Sequence, residues 1–463
     1  MSSATVAEAE GTGDAAEVTS RRRRAWWGRA DRMTRAVAVV VALQIVAVLV
    51  FGVIAVQKDP LWAPIDEGAH FDNVIYVASH GSYPVLGKVY ASEQELAISQ
   101  GRYPRQTTIN PRTYGLAGLS YEAFQPPLYY YVAAPVTMLS ANFHTKAILL
   151  RYFGLLLLLV SIALLARLSR HVLKRQWLFG LAGGLLLFLM PGLLLRMVTI
   201  SNLALGLPLA ILILTEFWIA WERGAWRRLP LCGFLVGAGV LSDLYLAELA
   251  LVYVIVALVL CWRHRSGLTV LAAAMGSVLG VLVVLPWVVF NEIKYHAVTA
   301  AAIARVEQQP LINPHHLTYT VGQLPSQTVN LLFQPLLPEE WGGRLLGHPV
   351  WGYAASIFEI AVVPIAVLVA LSLGRRLLRD GSWMLVVPWF CNLGLVWYIQ
   401  VGEQTSSMQA RYLFPTLLPL LLCAVAAVVV QFRARLPLLL TLAGGTAFLV
   451  GLWAFLVPNI SMT

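Results

Sequence analysis

The chain has 463 residues, of which 59% are hydrophobic and 12% are charged, and its mean hydropathy is +0.72. Soluble proteins carry about 25% charged residues, so this composition excludes an array of soluble domains and indicates a polytopic helical membrane protein. The net charge of +10 does not indicate a nucleic-acid partner, because the basic residues cluster between apolar runs, as the positive-inside bias predicts.

The N-terminal segment differs in composition from the rest of the chain. Residues 1–20 consist mainly of Ala, Glu, Gly, Ser and Thr, which predicts disorder, and a cluster of arginines follows them. The first apolar run, 36–57, has no small-residue cleavage signature and is too long for a signal peptide. We therefore predict a basic cytoplasmic tail over residues 1–35 and a single transmembrane domain over residues 36–463.

Apolar runs recur through the rest of the chain, and all but the 13-residue run 229–241 have about 20 residues, long enough to cross a membrane as a helix. They cover residues 36–57, 147–166, 177–195, 203–221, 229–241, 244–262, 268–290, 353–373, 383–399, 412–431 and 436–457. Every second connection is rich in arginine, and these connections all fall on the side of the N-terminus. This alternation predicts an all-α membrane protein with about 11 transmembrane helices and two long outer loops, 58–146 and 291–352.

The first outer loop ends in an apolar segment that follows Pro127. This segment is only about 14 residues long, which suits a helix in the membrane interface better than a transmembrane helix. If it were a span, the arginine-rich loops would move to the outer face, against the positive-inside bias. We therefore predict interfacial helices in the outer loops.

Two adjacent carboxylates, Asp66 and Glu67, lie just beyond the first predicted span. Ionisable groups held against a membrane are costly and mark functional sites, although a solvated acidic loop is the alternative. Asp66 can act as a general base, because removal from water makes a carboxylate more basic. Glu67 would raise the pKa of one member of the pair by repulsion, or would orient an acceptor. His70 would share a helical face with Asp66, the alternative being a surface histidine.

Several basic residues are predicted at outer helix ends or in outer loops, against the charge bias. They are Arg151, Arg196, Lys294, His296, Arg305, Arg344 and Arg411. A phosphate or pyrophosphate headgroup would explain them, and snorkelling to ordinary lipid phosphate is the alternative. We favour a ligand for Arg411 and snorkelling for any other single arginine. Asp243 is expected at the outer turn of a hairpin, facing the same cavity as Asp66.

Four short segments, in this order along the chain, resemble the C-type glycosyltransferase superfamily (GT-C), which includes protein O-mannosyltransferases and lipid A aminoarabinose transferases. They are Asp66-Glu67-Gly68-Ala69-His70-Phe71, Gln125-Pro126-Pro127-Leu128-Tyr129-Tyr130, Thr199-Ile200-Ser201-Asn202 and Arg411-Tyr412-Leu413-Phe414-Pro415. Each segment alone is loose, but their order and the predicted topology cover most of the chain. The resemblance implies a polyprenyl-phosphate-linked sugar donor, an acceptor hydroxyl that enters from outside, and sugar transfer with inversion.

The same resemblance implies roles for the candidate site residues. Asp66 would deprotonate or orient the acceptor, and Glu67 would be either a second acidic partner or a structural residue. Basic residues at the outer helix ends would stabilise the leaving phosphate as the glycosidic bond breaks. The candidate substrate-binding residues are His70, Gln125, Tyr129, Lys294, Arg305, Arg411 and Tyr412.

The sequence departs from the family pattern at Ser201-Asn202-Leu203, where many relatives carry an acidic residue. This departure puts a metal site in doubt and favours a metal-independent enzyme. We expect no cofactor, with a divalent metal as the alternative. The expected partners are a polyprenyl-phosphate-sugar donor, a glycan, lipid or protein acceptor, and membrane lipids. The expected location is the cytoplasmic membrane, with the active site on the outer face.

Two other functions stay open from the sequence. A transporter or flippase of a lipid-linked substrate would suit Glu216 and Glu359, which lie within predicted spans, although paired repeats and broken helices are not evident. A polysaccharide polymerase or ligase would place its key residues in a late outer loop, where His315 and His316 lie.

Overall fold

The computed structural model describes residues 11–58, 61, 66–89, 121–174, 177–189, 191–300, 381 and 383–403. Side chains are described from residue 34 onward, except at 121, 186–187, 191–192 and 399–403. The predicted spans 353–373, 412–431 and 436–457 lie outside these residues. The same holds for the site candidates Arg305, Arg411 and Tyr412.

Every regular element in this part of the chain is a helix, in agreement with the predicted all-α class. The helices are α1 (Gly11–Lys58), α2 (Glu67–His80), α3 (Leu128–Thr137), α4 (Phe143–Leu173), α5 (Trp177–Phe188), α6 (Pro191–Val198), α7 (Leu203–Arg223), α8 (Leu229–Ser242), α9 (Glu248–His264), α10 (Gly267–Tyr295) and α11 (Trp383–Glu403). Short 3₁₀ turns lie at Tyr121–Phe124, Trp226–Arg228 and Leu244–Ala247.

Five predicted spans coincide with helical segments that are long and apolar enough to cross a membrane. These segments are Thr34–Lys58, Phe143–Leu173, Leu203–Arg223, Leu244–His264 and Gly267–Tyr295. Helix α3 has 10 residues and α8 has 14, and both are shorter than the ~20 residues that a span requires. The length of α3 agrees with the prediction that this segment does not cross the membrane.

The predicted span 177–195 is wrong as a single helix, because the structure divides it into α5 and α6. The second helix begins at Pro191, which lacks a backbone N–H and therefore cannot continue a preceding helix without losing a hydrogen bond. Proline is well suited to the first turn of a new helix, where that N–H has no intrahelical partner.

The N-terminal segment also differs from the prediction, since α1 is continuous from Gly11 to Lys58. Residues 11–20 were expected to be disordered. Residues 11–20 contain two alanines and a glutamate, and four arginines follow at residues 21–24; all of these are strong helix formers. Helix propensity therefore extends the first membrane helix backwards through the basic segment.

Two hydrophobic clusters hold the described helices together. The larger cluster contains buried side chains of α1 and of the long apolar helices that follow α3. The smaller cluster joins α2, α3, the first half of α4 and the start of α7 through residues such as Phe71, Tyr130, Leu150 and Ala204. This second cluster carries the elements that form the candidate site.

Helices α8 and α10 approach each other closely through glycine. A Cβ atom on Gly233 would lie 2.0 Å from the carbonyl oxygen of Gly276, and one on Gly276 would lie 2.4 Å from that of Leu229. Small residues that allow such backbone contact are typical of helix pairs in membranes. The short helix α8 is thereby fixed against the long helix α10.

We expect Gly233→Ala to destabilise the protein by about 1–3 kcal/mol, because the added methyl group forces α8 and α10 apart. Gly394→Ala is the matched control, since a Cβ there meets no atom of the described residues within 4 Å. Alanine is the better helix former, so the control variant should be as stable as the wild type or slightly more stable. Thermal unfolding of the detergent-solubilised protein measures both. Equal melting temperatures for the two variants would contradict the close packing.

Candidate functional site

Asp66 adopts a backbone conformation that is unusual for its residue type. Its φ and ψ angles are 70° and −2°, in the left-handed region, and it precedes the first residue of α2. Aspartate at this position commonly caps the helix with its side chain, but Asp66 makes no such bond, although its carbonyl oxygen accepts from the N–H of His70 at 3.0 Å. Asp66 is 5% exposed, and it lines a pocket instead of capping the helix.

The pocket beside Asp66 is small and polar, with a volume of about 30 Å³. Its lining residues are Asp66, His70, Glu122, Gln125, Ser201, Asn202, Leu203, Asp243 and Tyr245. They come from the start of α2, the 3₁₀ turn at Tyr121–Phe124, the α6–α7 connection and the turn after α8. The structure thus brings together Asp66, His70 and Gln125, which the sequence predicted as site residues, and it confirms that Asp243 faces the same cavity.

Asp243 is fixed by contacts on two sides. Its Oδ1 accepts from the backbone N–H of Tyr245 at 3.0 Å, which caps the following 3₁₀ turn. A Cβ atom on Gly206 would lie 3.3 Å from Oδ2 of Asp243, so only a glycine in α7 leaves this carboxylate ample room. The pocket therefore carries three carboxylates, Asp66, Glu122 and Asp243, from elements far apart in the sequence.

Glu67, directly after Asp66, forms a buried ion pair with Arg151 of α4. The guanidinium donates from Nε to Oε1 at 2.7 Å and from Nη2 to Oε2 at 2.6 Å. Oε1 also accepts from the N–H of Ile200 at 3.2 Å, and the Arg151 side chain is 1% exposed. The prediction that Arg151 snorkels to lipid phosphate is therefore wrong, because its guanidinium is buried against a carboxylate of the same chain. This geometry favours the structural alternative for Glu67.

His70 contacts Tyr130 of α3, with Nδ1 2.9 Å from the phenol oxygen. Burial raises the pKa of Tyr130 well above its ordinary value, and the nearby carboxylate of Glu122 adds to this effect. The phenol therefore keeps its proton and can donate it to Nδ1, which leaves the ring proton of a neutral His70 on Nε2. This contact positions the imidazole at the edge of the pocket.

Three polar side chains form a hydrogen-bonded chain along one wall of the pocket. Gln125 donates from Nε2 to Oε2 of Glu122 at 2.7 Å, and Asn202 donates from Nδ2 to Oε1 of Gln125 at 3.3 Å. The Asn73 amide donates to the carbonyl oxygen of Glu122 at 2.7 Å and fixes this turn to α2. Glu122 was not predicted from the sequence. Asn202 belongs to a segment that resembles the C-type glycosyltransferases, but its bond to Gln125 was not predicted, because asparagine before a helix is typical of an ordinary cap.

Other sequence candidates lie elsewhere. Tyr129 is fully buried in the smaller hydrophobic cluster, and Lys294 is exposed near the end of α10; neither lines the pocket. Glu216, considered for proton coupling, pairs with Arg167 and Arg228. Within the described ranges, no group of three or more His, Cys, Asp or Glu side chains is arranged to hold a metal ion. Metal independence stays a prediction.

Comparisons with known proteins give little similarity. No protein-family model matches the sequence, and no curated protein matches it. A solved structure that aligns with it is the crystal structure of the Archaeoglobus fulgidus oligosaccharyltransferase in complex with zinc and sulfate, with a TM-score of 0.44 and 14% identity. The alignment covers 87% of this chain but 52% of the oligosaccharyltransferase, so the chain spans about half the length of that protein. A match at this level supports no statement about fold or activity.

We expect Asp66→Gly to stay within about 1 kcal/mol of the wild type in its free energy of unfolding, because glycine adopts a positive φ without steric cost. Asp66→Val should be clearly less stable, since a β-branched residue is strongly disfavoured in the left-handed region. Chemical denaturation in detergent measures the difference. If the valine variant were as stable as the glycine variant, the left-handed conformation of residue 66 would be contradicted.

Glu67→Gln should destabilise the protein by about 3–5 kcal/mol, because it leaves the buried Arg151 guanidinium without its carboxylate. Glu222→Gln is the matched control, since Glu222 pairs with Lys174 at 3.2 Å and is 32% exposed. The control should change the stability by about 1 kcal/mol or less. Comparable melting temperatures for both variants would show that the Glu67–Arg151 pair does not hold the site together.

Proposed function

We propose that this protein is a membrane glycosyltransferase that moves a sugar from a polyprenyl-phosphate donor to a hydroxyl group at the outer face of the membrane. The observation that carries the proposal is the environment of Asp66. This residue is buried, has a left-handed backbone conformation, and lines a polar pocket without capping its helix. It follows an apolar helix that is long enough to cross a membrane. Strained backbone at a pocket is a reason to infer function. The order of sequence motifs that resembles C-type glycosyltransferases supports the same reaction class.

In the proposed reaction, the acceptor oxygen attacks the anomeric carbon of the donor while the bond from that carbon to the phosphate oxygen breaks. The bonding electrons leave with the polyprenyl phosphate, and the acceptor proton passes to the Asp66 carboxylate. A carboxylate that is largely removed from water is a better base than one in bulk solvent, which suits this role. The sugar is transferred with inversion, because displacement occurs in one step.

The leaving phosphate needs positive charge as the bond breaks. Arg411, Arg305 and Lys294 are the proposed residues for this role, with Tyr412 beside them, and the proposal for them rests on their sequence positions at predicted outer helix ends. His70 and Gln125 are proposed to contact the acceptor, since both line the pocket with Asp66. The proposed location is the cytoplasmic membrane, with the pocket on the outer side.

Transport of a lipid-linked substrate is a second candidate function. The break between α5 and α6 favours it, because discontinuous helices within an apolar run are typical of transporter binding sites. The two functions are separated by their products. A transferase releases free polyprenyl phosphate, whereas a transporter moves the intact lipid across the membrane.

The test uses purified protein in sealed proteoliposomes with undecaprenyl phosphate linked to labelled mannose, glucose, galactose or arabinose, and a mixture of membrane glycans and lipids as acceptors. We expect the wild type to release polyprenyl phosphate with at least one donor, and Asp66→Asn to reduce the rate by about 10²–10⁴-fold, the usual contribution of a general base. Glu222→Gln should retain wild-type activity. Full activity of Asp66→Asn would remove the base assignment, and lipid movement without sugar transfer would favour the transporter.

A further inference from the structure

The direction of the hydrogen bonds along the Glu122–Gln125–Asn202 chain is set by its first member. A carboxylate can only accept hydrogen bonds, so Gln125 must turn its Nε2 towards Glu122, where the distance is 2.7 Å. The Gln125 carbonyl Oε1 then faces the other way and accepts from Nδ2 of Asn202 at 3.3 Å. Asn202 therefore keeps its own Oδ1 as the acceptor atom that it can offer to the pocket.

The position of Asn202 makes this use of its side chain informative. Asparagine at the N-terminus of a helix usually accepts a hydrogen bond from a backbone N–H in the first turn. Asn202 stands at this position of α7, and its carbonyl oxygen accepts from Gly206 at 3.0 Å, but its side chain makes no capping bond. Capping does not explain the residue, whereas the bond to Gln125 and the place in the pocket wall do.

Ser201 supplies the complementary group beside Asn202. Its Oγ accepts from the backbone N–H of Leu203 at 3.2 Å, which leaves the hydroxyl proton as a donor. The wall therefore offers an acceptor from Asn202 and a donor from Ser201, next to each other in the chain. A ligand hydroxyl can bond to both, because it donates and accepts, whereas an ammonium group only donates.

The volume limits what can enter. The pocket of about 30 Å³ exceeds the roughly 10–15 Å³ that one water molecule needs, so it has room for a small polar group such as one hydroxyl. We propose that Asn202 and Ser201 recognise one hydroxyl of the acceptor and that Glu122 is a positioning residue that fixes the polarity of this wall through Gln125. This inference rests on the proposed function and names the group that the site selects.

The test reverses the hydrogen-bond chain. In Asn202→Asp, a carboxylate oxygen of residue 202 faces Oε1 of Gln125. Both atoms are acceptors, so the hydrogen bond between these two side chains should be lost. In Glu122→Gln combined with Asn202→Asp, Gln125 can donate to the new carboxylate and accept from the new amide, which restores a continuous chain with the opposite direction. Because a charge is exchanged for an amide at two positions, the double variant has the same number of carboxylates as the wild type.

In the transfer assay described above, we expect Asn202→Asp to lower kcat/KM for the acceptor by about 10-fold or more, through the acceptor KM, with the donor KM unchanged. The double variant should recover to within about 3-fold of the wild type, a strong non-additive coupling. Asn142→Asp is the matched control and should retain wild-type kinetics. In the wild type, Oδ1 of Asn142 caps α4 by accepting from the N–H of Thr145 at 3.0 Å. If the wild type is active and the double variant is as defective as Asn202→Asp, the inference is overturned, while the proposed function still holds.

If the wild type transfers no sugar from any donor, the proposed function fails and the pocket is tested by binding alone. Saturation-transfer NMR with glycerol as the probe then measures whether the pocket takes a small hydroxyl compound. Saturation of glycerol in the wild type and the double variant, with its loss in Asn202→Asp, supports the inference. Equal signals in all three proteins overturn it.

Discussion

The candidate site depends on one buried ion pair. Glu67 and Arg151 join the first turn of α2 to the first half of α4, and the N–H of Ile200 adds the α6–α7 connection to the same carboxylate. Removing two charges from water is costly, so such a pair is stable only when its geometry satisfies both groups, as the bidentate contact does here. Three segments that line or flank the pocket are thus fixed through a single side chain.

The adjacent carboxylates Asp66 and Glu67 consequently have different environments. Glu67 faces Arg151, while Asp66 lies at the turn before α2, where a positive φ directs its side chain to the pocket. The opposite wall is ordered by Glu122, and the turn after α8 adds Asp243. Each carboxylate at this site has its direction set by a defined contact or backbone conformation, so the pocket is preorganised for a small polar group.

Hydropathy and charge alternation were sufficient for the helical class and for the position of the apolar helices in the described ranges. The acidic pair after the first span, and the hairpin turn at Asp243, led to the pocket. The partners within the site were not predictable. Glu67 and Arg151 are 84 residues apart, and Gln125 and Asn202 are 77 apart, so sequence spacing does not show that they meet. The break at Pro191 was visible as a proline but was hidden by the continuous apolar run.

The central claim is that the Asp66 carboxylate removes the acceptor proton. Chemical rescue of Asp66→Gly by formate tests it most directly, because formate can supply a carboxylate in the space that the side chain leaves. We expect added formate to raise the sugar-transfer rate of this variant by about 10-fold or more, with saturation, and to leave the wild type unaffected. A glycine variant that stays folded and is not rescued by formate, or one that is fully active without it, would contradict the claim.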